Sequence, residues 1–390
     1  MPELDNLTPL ESASTPTLDA LCRKGELFLT RTVPEGFPPG SDVANLSLMG
    51  YQPNKYYTGR APLEASAMGI DLQEDETAFR CNLVTLTQED GNTGMVDYSA
   101  GHISTEESGE LIAAVQKHCG TEQFTFHAGL VYRHILVVKG TYPDMDTVPP
   151  HDYIEKDVTV PWQRYMKDPA WKQLLSSASE VLANHPVNSK RVAEGKNPAN
   201  GIWLWGEGKL PSMPTLHEQY GITGGLISAV DLLKGLGVNA GLDIINVPGA
   251  TGYIDTNYKG KADAALKCLE DKDFVFVHVE APDEAGHQGI LADKLQAIED
   301  FDAKITAPII QGLRAKGEEF RVIATMDHYT PLSLRTHIDN PVPVILYDSR
   351  ENEQGCNLTF SEKNGDKKGA EPNGTLPDGE TMMKKLLERL

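Results

Sequence analysis

Three places in the sequence set carboxylate and imidazole groups at or near the end of a strand-forming run. Asp283 and His287, in Asp283-Glu284-Ala285-Gly286-His287, follow the apolar run from Phe274 to Val279. Asp327 and His328 come soon after Arg321-Val322-Ile323-Ala324-Thr325, and His337 stands in the loop before Pro341-Val342-Pro343. Such groups at strand ends suit hard or borderline divalent cations: Mn²⁺, Zn²⁺ or Mg²⁺. Two Asp/His sets so placed could hold a pair of neighbouring ions that clamp both oxygens of a phosphoryl displacement. Each pattern alone is ordinary, because an isolated D-x-x-x-H is common and turns also favour Asp. The co-occurrence carries the reading. His278, inside the apolar run, reads instead as a satisfied core histidine.

Ser41 is the fourth candidate. It follows the loop Pro34-Glu35-Gly36-Phe37-Pro38-Pro39-Gly40 and opens a helix at Ser41-Asp42-Val43-Ala44. A serine there is either a plain helix N-cap or a nucleophile whose phosphorylated form backbone N–H groups would hold.

The elements that must position these residues fall into two kinds. Residues 18 to 72 read as helix, Pro/Gly loop and helix. From about Ala78 to Lys139 strand-forming runs dominate, interrupted by one helix near Thr105 to His118, which predicts a smaller α+β domain. Residues 143 to 162 read as a connection. Beyond them helices such as Trp171 to Asn184, Leu226 to Gly235 and Ile290 to Leu313 alternate with apolar runs such as Gly201 to Trp205 and Phe274 to Val279. That alternation predicts an α/β fold with a largely parallel sheet covered by helices. Ligands of such sheets bind at the carboxyl ends of the strands, where the Asp and His residues lie.

Composition narrows the function. The 390 residues carry a net charge of −21, which argues against nucleic acid as a partner. No run of 18 apolar residues is present, so no membrane span is expected, and Met1 to Asp5 lacks the features of a signal peptide. The 5 cysteines are scattered, without a C-x-x-C pair, which fits a reducing cytoplasm better than a disulfide framework.

Several segments carry a resemblance. Pro39-Gly40-Ser41-Asp42-Val43-Ala44-Asn45 through Tyr51 resembles the nucleophile segment of the archaeal-type cofactor-independent phosphoglycerate mutases, in the alkaline-phosphatase superfamily. Tyr56-Tyr57-Thr58-Gly59-Arg60, Phe79-Arg80-Cys81-Asn82, Asn246 to Tyr258, Glu280 to His287 and Thr336 to Pro343 are similar to further segments in that family's order. The resemblance implies a discontinuous metal-binding domain, residues 1–72 and 186–390, with an inserted α+β domain at 73–185. It implies that Ser41 accepts the phosphoryl group. Asp283, His287 and His337 would hold one divalent ion, and Asp327 and His328, with Ser41, the other, Mn²⁺ being the first choice and Zn²⁺ or Mg²⁺ alternatives. The implied reaction interconverts 3-phosphoglycerate and 2-phosphoglycerate without 2,3-bisphosphoglycerate, and Arg60, Arg80, Arg133 and His102 are the candidate substrate-binding residues.

The sequence also departs from the family. Relatives begin with a strand ending in an Asp-Gly turn whose aspartate is a ligand of the second metal, and Met1 to Glu11 resembles the segment after it. The expectation is a truncation, with an inactive relative as the alternative. Asn45 stands where many relatives have histidine, and Gln219 where some have lysine. The Val33-Pro34-Glu35-Gly36-Phe37 style is shared with bacterial relatives assigned as homoserine kinases, the competing activity, although no G-x-x-x-x-G-K-[ST] loop is present.

Overall fold

The computed structural model describes residues 1–143, 145–350 and 355–387. The chain forms two compact units, one from Met1–Tyr57 with Ser212–Leu390 and one from Thr58–Pro211. Strand β1 (Glu26–Thr30) belongs to the first. The chain then builds the second unit with β2 (Glu76–Glu89), β3 (Asn92–Asp97), β4 (Phe124–His127), β5 (Arg133–Lys139), β6 (Lys156–Asp157) and β7 (Gly201–Gly208). It returns to the first with β8 (Gly224–Ile227), β9 (Asp243–Ile244), β10 (Phe274–Val277), β11 (Arg321–Thr325), β12 (Val342–Asp348) and β13 (Thr375–Leu376).

In the second unit the long strand β2 organises an antiparallel sheet of order β4-β5-β2-β3-β6, with β7 also paired to β2. Helices Thr105–Cys119 and Pro169–Ala183 bury Leu111, Ile112, Val115, Trp171, Leu174 and Leu175 in its core with Phe79, Leu136 and Trp203. The sequence pattern assigns Gly201 to Trp205 to the alternating half. The structure pairs this run with β2 instead, Asn82 opposite Trp203. Helix Ala61–Ala67 also packs against β2 and β7. The junctions therefore fall at 57/58 and 211/212, where the sequence reading has 72/73 and 185/186.

The first unit has the expected α/β composition but mixed strand directions. β10, β8 and β9 form a parallel sheet, and a second sheet runs β11-β12-β1-β13. β12 is antiparallel to both β1 and β11. The reason lies in the connection: a parallel neighbour needs a crossover, usually helical, and residues 326–341 between β11 and β12 form no helix. The stretch Leu291–Asp300 continues through a π-helical turn, Phe301–Thr306, into Ala307–Lys316. Pro308, which lacks the N–H of a regular turn, accounts for the widening. In that turn the buried Asp302 accepts hydrogen bonds from the N–H groups of Thr17 (3.1 Å) and Leu18 (2.6 Å), docking helix Pro16–Lys24.

Among the described residues, β10 pairs with β8 alone and β11 with β12 alone. Their free edges line a cavity of 750 Å³ that also touches Asn45, Asp283, Asp327 and His328. The residues of β10 are half-buried throughout, although the run Phe274-Val275-Phe276-Val277 is apolar. No helix among the described residues is long and apolar enough to cross a membrane.

The far end of β12 carries a buried ion pair. Asp348 Oδ2 accepts from Arg321 Nε at 2.7 Å and from Arg350 at 2.7 Å. The hydrogen bond from Arg350 comes first and that from Arg321 adds to it; together they outweigh burial and hold the Asp348 carboxyl well below the usual range. A depressed carboxylate contributes stability that is full above its unfolded pKa and lost as pH falls through the folded one. Asp348→Asn is expected to cost about 2 kcal/mol at neutral pH, with a gap to the wild type that narrows below about pH 4. Urea unfolding at several pH values checks this.

Candidate metal centre

Helix Ala281–Gln288 begins three residues past β10 and places Asp283 and His287 four apart, hence on one face. A Cβ at Gly286 would stand 2.6 Å from the Thr330 carbonyl oxygen, so glycine is what lets the 326–341 loop lie on this helix. That loop delivers His337. Asp283 Oδ2 lies 3.2 Å from His287 Nε2, and Oδ1 lies 3.3 Å from His337 Nε2. The two Nε2 atoms are 2.8 Å apart. Each ring turns its other nitrogen to a backbone carbonyl, His287 Nδ1 to Arg335 O at 3.0 Å and His337 Nδ1 to Pro39 O at 3.3 Å. With Nδ1 of each ring turned to a carbonyl, Nε2 is the atom each ring offers a cation, and without one a proton on His287 Nε2 bonds to Asp283. A divalent cation fits this donor set, whose ligand atoms lie within 4.8 Å of one another.

The charges report the same demand. Burial alone would raise the Asp283 carboxyl, but hydrogen bonds from His287, His337 and Thr330 hold it well below the carboxylate range. The hydrogen bond to Asp283 pushes His287 up to about 9, against burial. Glu284, on the same helix, moves up because it is buried and lies near Glu280 and Asp283.

The second group forms at the end of β11. Asp327 Oδ2 lies 3.4 Å from His328 Nε2, and the same nitrogen is 3.0 Å from Ser41 Oγ. The amide of Asn45, almost fully buried, donates to Asp327 Oδ2 at 2.8 Å and to the Ser41 carbonyl at 2.9 Å. The rings of His328 and His337 lie 3.9 Å apart, and Thr330 Oγ1 donates to Asp283 Oδ1, so the two groups adjoin. Ser41 is not the N-cap: that position belongs to Gly40, and Ser41 is the first residue of helix Ser41–Leu48 without a side-chain capping bond. Its hydroxyl is directed to the histidine.

Some residues here carried no sequence signal. Lys294, pushed down by burial while Asp283 and Asp327 oppose, donates to the Thr330 carbonyl at 3.3 Å. Lys261 is fully buried, donates to the His278 carbonyl at 3.0 Å, and is pushed down to about 8 by burial. His278 is satisfied, as expected, by Ser228 Oγ at 3.1 Å and Glu280 Oε2 at 3.1 Å.

In the second unit Arg60 and Arg80 share Glu64, at 3.1 Å and 2.8 Å, the latter an ion pair without hydrogen-bond alignment. Arg80 also lies over the Trp205 ring at 4.1 Å. Burial pulls the Arg80 guanidinium down to about 10, Arg60 and Arg133 add to it, and Glu64 opposes. The three arginines are thus near neighbours. His151, 5.4 Å ring to ring from Trp205, feels Arg80 and Arg60 as well, and nothing in the sequence singled it out. His102 sits exposed in a turn with positive φ; among the described residues no hydrogen bond or ion pair joins its side chain to the arginines.

An α/β unit with two adjoining Asp/His groups and an uncapped helix-borne serine defines a candidate binuclear metal centre. Comparison with known proteins gives the family. A model described as 2,3-bisphosphoglycerate-independent phosphoglycerate mutase matches residues 22–188. A probable 2,3-bisphosphoglycerate-independent phosphoglycerate mutase of Geobacter sulfurreducens is 50% identical over 389 residues, covering 100% of this chain and 96% of the relative. The Methanosarcina acetivorans enzyme of that name is 51% identical over 348 residues, 88% of this chain and 86% of its own. A solved Pyrococcus horikoshii protein superposes with a TM-score of 0.80 at 28% identity, covering 100% of this chain and 94% of that one. A cofactor-independent phosphoglycerate mutase from Thermoplasma acidophilum gives 0.63 at 26% identity, covering 100% and 95%. The chain belongs to the 2,3-bisphosphoglycerate-independent phosphoglycerate mutase family.

His337→Ala is expected to weaken Mn²⁺ binding about 100-fold or more, while His118→Ala, on an exposed helix face, leaves it unchanged. Titration calorimetry of the two variants checks this.

Proposed function

We propose that this chain interconverts 3-phosphoglycerate and 2-phosphoglycerate through a phosphorylated Ser41, with the glycerate retained between the two transfers. The observation that carries the reading is Ser41 Oγ, free of its capping role and 3.0 Å from His328 Nε2 beside two Asp/His groups. Asp283, His287 and His337 hold one divalent cation and Asp327, His328 and Ser41 a second, with Mn²⁺ as the first choice and Zn²⁺ or Mg²⁺ within the range of the donors. Bound there, the cations supply Lewis-acid stabilisation of the transferring phosphoryl group and favour the serine alkoxide. No 2,3-bisphosphoglycerate takes part, because the serine itself stores the phosphoryl group.

The chain's own residues do the positioning. Ser41 Oγ accepts the phosphoryl group and returns it to the other hydroxyl of glycerate. The Asn45 amide fixes Asp327 and the Ser41 backbone together, so ligand and nucleophile keep one geometry. Arg60, Arg80 and Arg133 bind the phosphate and carboxylate of the substrate, for which a planar guanidinium is suited. His102 is assigned a lesser part there. The unit containing Ser41 is the catalytic one and Thr58–Pro211 the substrate-binding one, and the protein works in the cytoplasm.

With Mn²⁺ and 3-phosphoglycerate, coupled to enolase, the chain is expected to turn over without nucleotide. Ser41→Ala loses about 10³-fold or more of that rate. Turnover that appears with ATP and homoserine instead would replace the mutase reading by the kinase one. Arg80→Lys, which keeps the charge but loses the planar fork, is expected to raise KM about tenfold.

A further inference from the structure

Two thiols outside this machinery face each other across the first unit. Cys22 lies in the last turns of helix Pro16–Lys24 and is fully buried. Cys356, half-buried, belongs to the segment that follows β12, and the two Sγ atoms are 3.8 Å apart. Main-chain bonds set this meeting. The Cys356 N–H donates to Gly25 O at 2.9 Å and the Asn357 N–H to Arg23 O at 3.1 Å, so the segment is laced to the helix end. The Cys356 thiol also donates to the Cys22 carbonyl at 2.9 Å. Both sulfurs border one apolar cluster with Leu18, Leu21, Tyr347 and Leu358.

We propose that Cys22 and Cys356 are a reversible oxidation site that forms an intrachain disulfide by exchange with a low-molecular-weight disulfide. A bonded pair needs the sulfurs at about 2.05 Å, an approach of about 1.8 Å from their present 3.8 Å. Cys356 attacks first, because it is the accessible one of the two. Its thiolate is favoured by the hydrogen bond from Cys22, then by backbone N–H groups and Lys368, whereas Cys22 is pushed up by the same hydrogen bond and by burial. The Cys356 sulfur bonds to one sulfur of the small disulfide and the other leaves as a thiolate, which takes up the proton of Cys356. Cys22 then attacks the Cys356 sulfur; the S–S bond to the small thiol breaks, and that thiol leaves with the proton of Cys22. Two cysteine thiols are oxidised and one small disulfide is reduced to two thiols.

The bridge ties the helix before β1 to the segment after β12 and closes nearly the whole chain into one loop, so the oxidised form resists unfolding more than the reduced one. The test treats the full chain with oxidised glutathione, blocks remaining thiols with an alkylating reagent, and maps the peptides by mass spectrometry. The expected result is a linked peptide pair containing residues 22 and 356, lighter by two hydrogens, reversed by dithiothreitol and accompanied by a rise in Tm. Cys356→Ser abolishes both the link and the rise, and in Cys22→Ser the glutathione adduct persists on Cys356. A wild-type chain that keeps glutathione on Cys356 while Cys22 remains alkylatable would overturn the proposal. If Cys22→Ser does not fold, the wild-type map decides alone.

Discussion

Two imidazole Nε2 atoms 2.8 Å apart beside a carboxylate call for positive charge among them, a proton or a cation, and the first unit holds them in that arrangement. His287 and His337 each have one nitrogen committed to a backbone carbonyl, which removes the tautomers that would relieve the contact. The glycine at 286 brings the loop carrying His337 onto the helix carrying His287. Thr330 and Asp283 then join this group to the next, and Asn45 ties Asp327 to Ser41. Each of these bonds holds the candidate donor atoms in one orientation.

The candidate ligands were legible because strand ends and residue types are local properties. Phe274 to Val279 followed by Asp283 and His287, and Arg321 to Thr325 followed by Asp327 and His328, needed nothing beyond pattern and chemistry. What pattern could not give was direction and partnership. A short apolar run looks the same in a parallel and an antiparallel pair, so β12 was not readable as antiparallel, nor β7 as a strand of the other unit. The contact of Asn45 with Asp327 spans 282 residues, and Thr330 and Asp283 are 47 apart. Ser41 shows the limit most clearly. One residue of displacement, with Gly40 taking the cap, turned a common helix signal into a hydroxyl bonded to His328.

The net charge of −21 set a further puzzle, since a phosphorylated substrate is itself an anion. The second unit concentrates positive charge locally. Arg60, Arg80 and Arg133 crowd around a single glutamate, and burial of Arg80 keeps its charge poorly screened by water. Net charge describes the far field, which ions attenuate over about 8 Å, whereas a cleft is governed by the few charges it encloses.

The open edges of β10 and β11 bear on how well the ligand groups are held. Both strands carry a candidate metal-ligand segment just past their carboxyl ends, yet among the described residues each is laddered on one side and borders a cavity on the other. A strand between two ladders is fixed by backbone bonds that no side chain can replace in number. Here the bracing between the two groups passes through side chains: Thr330 to Asp283, and the tilted, touching rings of His328 and His337. A site braced this way would share its rigidity with any cation bound there. Cation binding at this candidate site and the local stability of residues 278–288 and 326–338 would for that reason be one equilibrium and not two.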